Sequence, residues 1–308
     1  MRLEVPRPSP EDLFSWCFRH FNASPGVELF EKTHLSSVIG LRLSDGRAIV
    51  IKARPASPRI ESCARIHRWL FDSGYPCAQP LQSPAPLGSL VATAEAYVPG
   101  GETMPDSPQR PRLFAEALQR LVATAASFDG PVDLSPELPW VGWDHGGDAT
   151  WPAADDRDDD LNARTEPAWL DDLGHRLRGR LLADTGQKVI GHGDWWQPNI
   201  LWRGEALHCV HDWDSVVYLS EAAIAGAASS SFSVMAWGAT TVEETEAFLE
   251  AYAAARGWPW SRDELEVAWA AGLWQLAFNA KKDLYEGITL NLDHVREHGP
   301  ERLRRAGC

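Results

Sequence analysis

The sequence predicts an α+β protein of two lobes, an antiparallel β-rich lobe followed by a mainly helical one. Apolar residues alternate in short period-two runs up to Val98, and from Arg112 onward they recur at helical spacing in long runs. Pro99-Gly100-Gly101 separates the two regimes. Residues 1–98 are therefore assigned to a first lobe with a leading helix, and residues 99–308 to a second. A chain of 308 residues is long enough to bury a substantial core.

Each element has its own local signal. Ser9-Pro10-Glu11-Asp12 supplies a capping serine, a proline at the first helical position and acids in the first turn, so a helix runs to Phe21. Leu29-Phe30-Glu31, Val38 to Leu43 and Ala48 to Ile51 read as strands, with Ser44-Asp45-Gly46 turning between the last two. Ile60 to Phe71 returns to the helical period and stops at Ser73-Gly74; Leu90 to Val98 is a further strand. In the second lobe Arg112 to Phe128, Trp169 to Asp184, Val242 to Arg256 and Arg262 to Tyr285 read as amphipathic helices.

Between the first two of these lies an insertion, about residues 131–167, rich in Trp and Asp. It contains the run Asp155-Asp156-Arg157-Asp158-Asp159-Asp160. Such a run is either a solvated loop or a cation-attracting lip of a cleft.

Composition narrows the function. Lys and Arg number 29 against 43 Asp and Glu, a formal net charge of −14, which argues against binding nucleic acid and favours cationic small molecules. Cys17, Cys63, Cys77, Cys209 and Cys308 form neither a disulfide framework nor a CxxC zinc motif, so a reducing, cytoplasmic setting is expected. The start at Met1 carries no apolar run of the signal-peptide kind. Ala222 to Thr241 has the length of a membrane span, but its Ala, Gly, Ser and Thr content reads as a buried helix, and no membrane partner is expected.

The chemistry is concentrated in Ile190-Gly191-His192-Gly193-Asp194 through Asn199-Ile200-Leu201-Trp202, and in His208-Cys209-Val210-His211-Asp212-Trp213-Asp214 after the turn Arg203-Gly204-Glu205. A loop followed by a hairpin brings Asp194, Asn199 and Asp212 together. Phosphoryl transfer needs a carboxylate to orient the acceptor hydroxyl and take its proton, and hard oxygen ligands for magnesium. Asp194 suits the first role; Asn199 and Asp212 suit the second. Turn capping is the plain alternative for Asp194 and Asn199.

His192-Gly193-Asp194, Asn199 and Asp212 resemble the catalytic and metal-binding segments of the aminoglycoside phosphotransferase family, a branch of the protein-kinase-like fold that includes choline and macrolide kinases. The resemblance extends upstream: Ile49-Val50-Ile51-Lys52 is similar to the strand whose lysine holds the nucleotide phosphates, and Leu90 to Val98 with Pro99-Gly100 to the strand and hinge beside adenine. It implies a two-lobed kinase-like fold, ATP or GTP and Mg2+ as cofactors, Asp194 as base, Asn199 and Asp212 as metal ligands and Lys52 as phosphate clamp. It also implies a bracing role for His192, contacts to the nucleotide from Glu95 and Tyr97, and a metal or structural role for Asp214.

Three features depart from the family pattern. The segment Lys32 to Ser37 has no glycine, so Ser36 and Ser37 with the backbone are expected to cover the phosphates. Cys63 occupies the slot of the helix glutamate that should pair with Lys52, leaving Glu61 as the nearest carboxylate. Glu221 stands where the family often has an Asp supporting the catalytic loop, and Trp213 is not followed by glycine, which implies an enzyme without activation-loop control.

The expected acceptor is the hydroxyl of a small molecule, foremost a cationic antibiotic such as an aminoglycoside, with resistance as the biological consequence. A macrolide, a basic peptide antibiotic and a choline-like metabolite are the alternatives. Trp140, Trp143, Trp151, Trp169, Trp269 and Trp274 read as core residues or as aromatic walls for the acceptor. From other classes, His192, Asp194, His211, Asp212 and Asp214 are compatible with a two-metal hydrolase, and the whole with a nucleotide-binding module. A monomer or a homodimer is expected.

Overall fold

The computed structural model describes residues 4–233 and 239–308. Met1–Leu3, and residues 234–238 of the Ala222–Thr241 stretch, lie outside the described residues.

The N-terminal part is a five-stranded antiparallel sheet with one helix on each side. Helix α1 (Pro10–Phe21) is capped by Ser9, whose hydroxyl accepts the Asp12 N–H. Strands β1 (Pro25–Thr33), β2 (Ser37–Leu43) and β3 (Ala48–Arg54) follow, then helix α2 (Pro58–Asp72) and strands β4 (Pro80–Leu87) and β5 (Leu90–Ala96). The sheet order is β1-β2-β3-β5-β4.

The period-two pattern places the site. Ile39, Leu41, Leu43, Ile49, Ile51 and Ala53 face α1 and bury Leu13, Trp16 and Cys17. The alternate residues of β3, Val50, Lys52 and Arg54, therefore face the other way, into the interlobe cleft. Strand β4 escapes a sequence reading because Pro80, Pro84 and Pro86 remove donors; it is tolerated as the sheet edge.

The remainder is mainly helical: α3 (Arg110–Ala125), α4 (Ala168–Leu182), α5 (Glu221–Ser231), α6 (Val242–Arg256), α7 (Arg262–Glu286) and α8 (Leu290–Arg305). Two small antiparallel pairs are set among them, β6 (Lys188–His192) with β9 (Val216–Ser220) and the hairpin β7 (Ile200–Arg203) with β8 (Ala206–Val210). Helix α8 runs through Pro300, a residue that normally argues against a helix interior.

Helix α5 is almost wholly buried against α7. A Cβ at Gly226 would lie 2.0 Å from the Ala268 carbonyl oxygen, so its small side chains serve close helix packing. Among the described residues no helix is long and apolar enough to cross a membrane.

Trp143, Trp151, Trp269 and Trp274 are core residues, and Trp140 and Trp169 pack partly buried against them. These six build the lobe rather than line the cleft. The acidic run is also partly structural: Asp156 pairs with Lys282 at 2.7 Å and with Arg157 at 3.2 Å, and Arg157 also meets Glu286. Asp158 and Asp160 stay exposed, and Asp155 is partly buried, with its carboxyl near Lys282 and hydrogen-bonded to its own backbone.

Candidate active site

A cleft of about 860 Å3 separates the sheet from the helical part. Its floor is the loop between β6 and β7 together with the segment after β8. Gly193 N–H donates to Ser215 O at 2.6 Å, joining the two. A Cβ at Gly193 would sit 2.7 Å from Val217 Cγ1, so the loop needs glycine there. Trp140 Nε1 donates to the Gly193 carbonyl at 2.7 Å, and Trp195 Nε1 to Phe114 O at 3.2 Å.

His192, at the end of β6, is buried. Its Nε2 faces the carbonyls of His211 and Asp212, each at 3.1 Å, and its Nδ1 accepts the Asp194 N–H at 3.2 Å. Two carbonyls and one N–H select the tautomer protonated on Nε2. Burial lowers the pKa of His192, which keeps it neutral. The ring thus ties both carboxylate-bearing segments by their backbones, with neither nitrogen left for a metal.

Asp194 Oδ2 accepts a hydrogen bond from Asn199 Nδ2 at 2.8 Å. Burial, and then the nearby Asp212 charge, push the Asp194 carboxyl up to about 7 against the opposing effects of Asn199 and Lys52. With Nδ2 engaged, the Asn199 amide oxygen is the atom left for a cation.

Asp212 holds left-handed backbone angles, φ 63° and ψ 52°, uncommon for a residue with a side chain and most accessible to Asp and Asn. Its Oδ1 meets Lys52 Nζ, and its Oδ2 accepts from Ser215 Oγ at 2.8 Å. Burial alone would raise this carboxyl, but the Lys52 ammonium holds it well below the usual carboxylate range. Asp214 is also held low, mainly by Arg54 and Lys52 against burial: it lies 2.7 Å from an Arg54 nitrogen and 2.9 Å from Lys52 Nζ.

The other expected site residues divide. Ser36 lines the cleft, whereas Ser37, fully buried at the start of β2, does not; its Oγ has no partner. Glu61 lines the cleft but is exposed and forms no ion pair with Lys52 among the described residues. Glu95 and Tyr97 both line the cleft, and the Glu95 carboxylate stands between His67 (3.9 Å) and His211 (3.8 Å). Glu221 binds the Tyr252 hydroxyl at 3.0 Å and Arg256 at 3.4 Å, and so belongs to the α5–α6 contact instead of the catalytic loop.

The sequence reading missed Arg54 and Trp196. Both line the cleft. Arg54 is signalled only by its two-residue spacing from Lys52 on one strand; Trp196 by its place beside Asp194.

Residues 27–268 match the family described as "Phosphotransferase enzyme family" (APH). A comparison with curated protein sequences gives no match. Among solved structures, an aminoglycoside phosphotransferase from Alicyclobacillus acidocaldarius is similar with TM-score 0.57 and 15% identity, covering 98% of this chain and 95% of that one. Spectinomycin phosphotransferase in complex with ADP and spectinomycin gives TM-score 0.55 and 13% identity, covering 98% and 94%. Amicoumacin kinase in complex with AMP-PNP, Ca2+ and its antibiotic gives 0.58 and 11%, covering 92% and 88%. At these identities the structural likeness establishes the fold, which is kinase-like.

Proposed function

The chain belongs to the phosphotransferase enzyme family, and from that premise we propose that it transfers the γ-phosphate of ATP or GTP to a hydroxyl of a small molecule. One observation carries the reading: Lys52 from the sheet meets Asp212 from the helical lobe within one cleft, beside an Asp194 oriented by Asn199.

In this reading the acceptor hydroxyl approaches Asp194, whose carboxylate orients it and takes its proton. The new bond joins the acceptor oxygen to the γ-phosphorus as the bond to the β–γ bridging oxygen breaks, releasing the nucleoside diphosphate. A pKa near 7 leaves Asp194 largely ionised at mild alkaline pH, yet basic enough to accept the proton. Lys52 holds the phosphates, and Glu95 and Tyr97 border the place of the base. The amide oxygen of Asn199 and the carboxylate of Asp212 are hard oxygen donors that fit magnesium. When bound, that ion neutralises phosphate charge. His192 keeps the two segments in register.

The hydrolase alternative loses its ligands. His192 commits both ring nitrogens to the backbone and His211 lies beside Glu95. No group of three or more His, Cys, Asp and Glu among the described residues is placed to hold a metal.

For the acceptor, a cationic antibiotic is favoured by the net charge of −14. The exposed Asp158 and Asp160 on the insertion add to it. The test is magnesium-dependent transfer from ATP and from GTP across aminoglycosides, basic peptide antibiotics, macrolides and choline-like metabolites. Turnover on one class, abolished by Asp194→Asn, supports the reading and identifies the acceptor. Nucleotide hydrolysis that survives Asp194→Asn, with no acceptor phosphorylated, contradicts it.

A further inference from the structure

In protein kinases the strand lysine is held by a glutamate on the neighbouring helix, and the pair must be in place for activity. Helix α2 offers Lys52 no such group. Cys63 occupies that face of the helix, buried, with its Sγ 3.7 Å from the Asp214 carbonyl oxygen, and Glu61, exposed where it lines the cleft, forms no ion pair with Lys52 among the described residues.

We propose that Asp214 takes over the work of the helix carboxylate and that Arg54 is the residue that positions it. The inference rests on the reading of Lys52 as a phosphate ligand.

Lys52 has two carboxylate partners. Asp212 is the expected metal ligand, so its hold on Lys52 must loosen when cation and phosphates arrive. Asp214 Oδ2, 2.9 Å from Lys52 Nζ, is free to keep the ammonium aimed into the cleft, because its other oxygen is held 2.7 Å from Arg54.

Arg54 is itself fixed. It is 7% exposed and donates from one guanidinium nitrogen to the Lys52 carbonyl at 2.7 Å and to Thr93 Oγ1 at 3.0 Å. Arg54 and Lys52 share a face of β3 because they are two residues apart. The arginine, the aspartate and the lysine thus form one chain of charges across the top of the cleft.

The backbone of Asp214 is held from the other side. Arg59 of α2 donates from Nε to Asp214 O at 2.8 Å, from a second nitrogen to Leu134 O at 2.8 Å, and from a third to Val216 O. In this chain α2 is therefore joined to the segment carrying Asp214 through carbonyls, and it reaches the Lys52 pair through that backbone instead of through a carboxylate of its own.

The test is a double-mutant cycle read by nucleotide binding, with displacement of a fluorescent ATP analogue as the signal. Wild type, Asp214→Asn, Arg54→Gln, Lys52→Met and the double variants of each with Lys52→Met are titrated with magnesium and with EDTA. The expected result is that Asp214→Asn and Arg54→Gln each weaken binding about tenfold in both conditions, and have no effect once Lys52 is Met. Arg54→Lys, which retains a cation, recovers part of the loss.

The proposal is overturned if Asp214→Asn binds as wild type, if the loss appears only with magnesium, which would make Asp214 a metal ligand, or if it persists undiminished in the Lys52→Met background. Asp214→Asn is nearly isosteric and carries the cycle alone should Arg54→Gln fail to fold. Wild-type protein that binds no nucleotide overturns the phosphotransferase reading itself, a result distinct from any of these.

Discussion

Asn199 Nδ2 donates both to the Asp194 carboxylate, at 2.8 Å, and to the Asp194 carbonyl, at 3.0 Å, so a single amide fixes the side chain and the backbone of the same residue. Substituting it removes an orienting group and a cation ligand together. Asn199→Ala is expected to lower kcat by about a hundredfold and to raise the magnesium concentration needed for half-maximal rate. Steady-state rates titrated against magnesium check this; an unchanged magnesium dependence contradicts the ligand role.

Lys281 has no exposed surface, and its ammonium lies 2.5 Å from Asp171 Oδ1, which also accepts Trp151 Nε1 at 2.6 Å. Removing the carboxylate strands a buried charge. Asp171→Ala is expected to cost about 3–5 kcal/mol in chemical denaturation, whereas Lys281→Met, which leaves a partly exposed Asp171 still accepting from Trp151 Nε1, should cost less. Equal losses from the two would show that the pair acts only as packing.

Gly226→Ala drives a methyl to within 2.0 Å of the Ala268 carbonyl, where α5 packs closely against α7. A loss of about 3 kcal/mol is expected. Gly179→Ala, on the exposed face of α4 with nothing within 4 Å, should instead stabilise by about 0.5–1 kcal/mol through helix propensity. Thermal melts of the two variants with opposite signs of shift are the expected outcome.

His294 is pushed down to about 4, by burial first and then by Arg302 and the neighbouring His298. It is neutral in the folded state over a range in which the unfolded chain takes up a proton. Stability from this residue is therefore complete above about pH 6.5, falls as the pH drops toward 4, and declines no further below that. His294→Gln should flatten that part of the profile when melting temperature is measured from pH 7 to pH 4. An identical slope in the variant would assign the acid loss to other groups.

Much of this architecture was legible because local chemistry and tertiary role agree. The Ser9 cap, the Ser44-Asp45-Gly46 turn, the alternation along β2 and β3 and the helix Val242–Arg256 appear as expected. Strand β4 and helix α8 were not legible, since the prolines at 80, 84, 86 and 300 carry an adverse local signal that edge placement and packing override. The spacing of Asp194, Asn199 and Asp212 brought their meeting within reach of the sequence, as residues of one loop and one hairpin. The pairing of Arg54 with Asp214 was not, because it joins a strand of one lobe to a loop of the other, and neither was the turning of Glu221 toward Tyr252 and Arg256.

The most direct test of the kinase reading is calorimetric titration of ATP and of GTP onto the wild-type protein and Asp212→Asn, with and without magnesium. The account predicts saturable binding of at least one nucleotide to the wild type, strengthened by magnesium, with the strengthening lost in Asp212→Asn. Absence of binding by either nucleotide in every condition, with the protein folded, would contradict it.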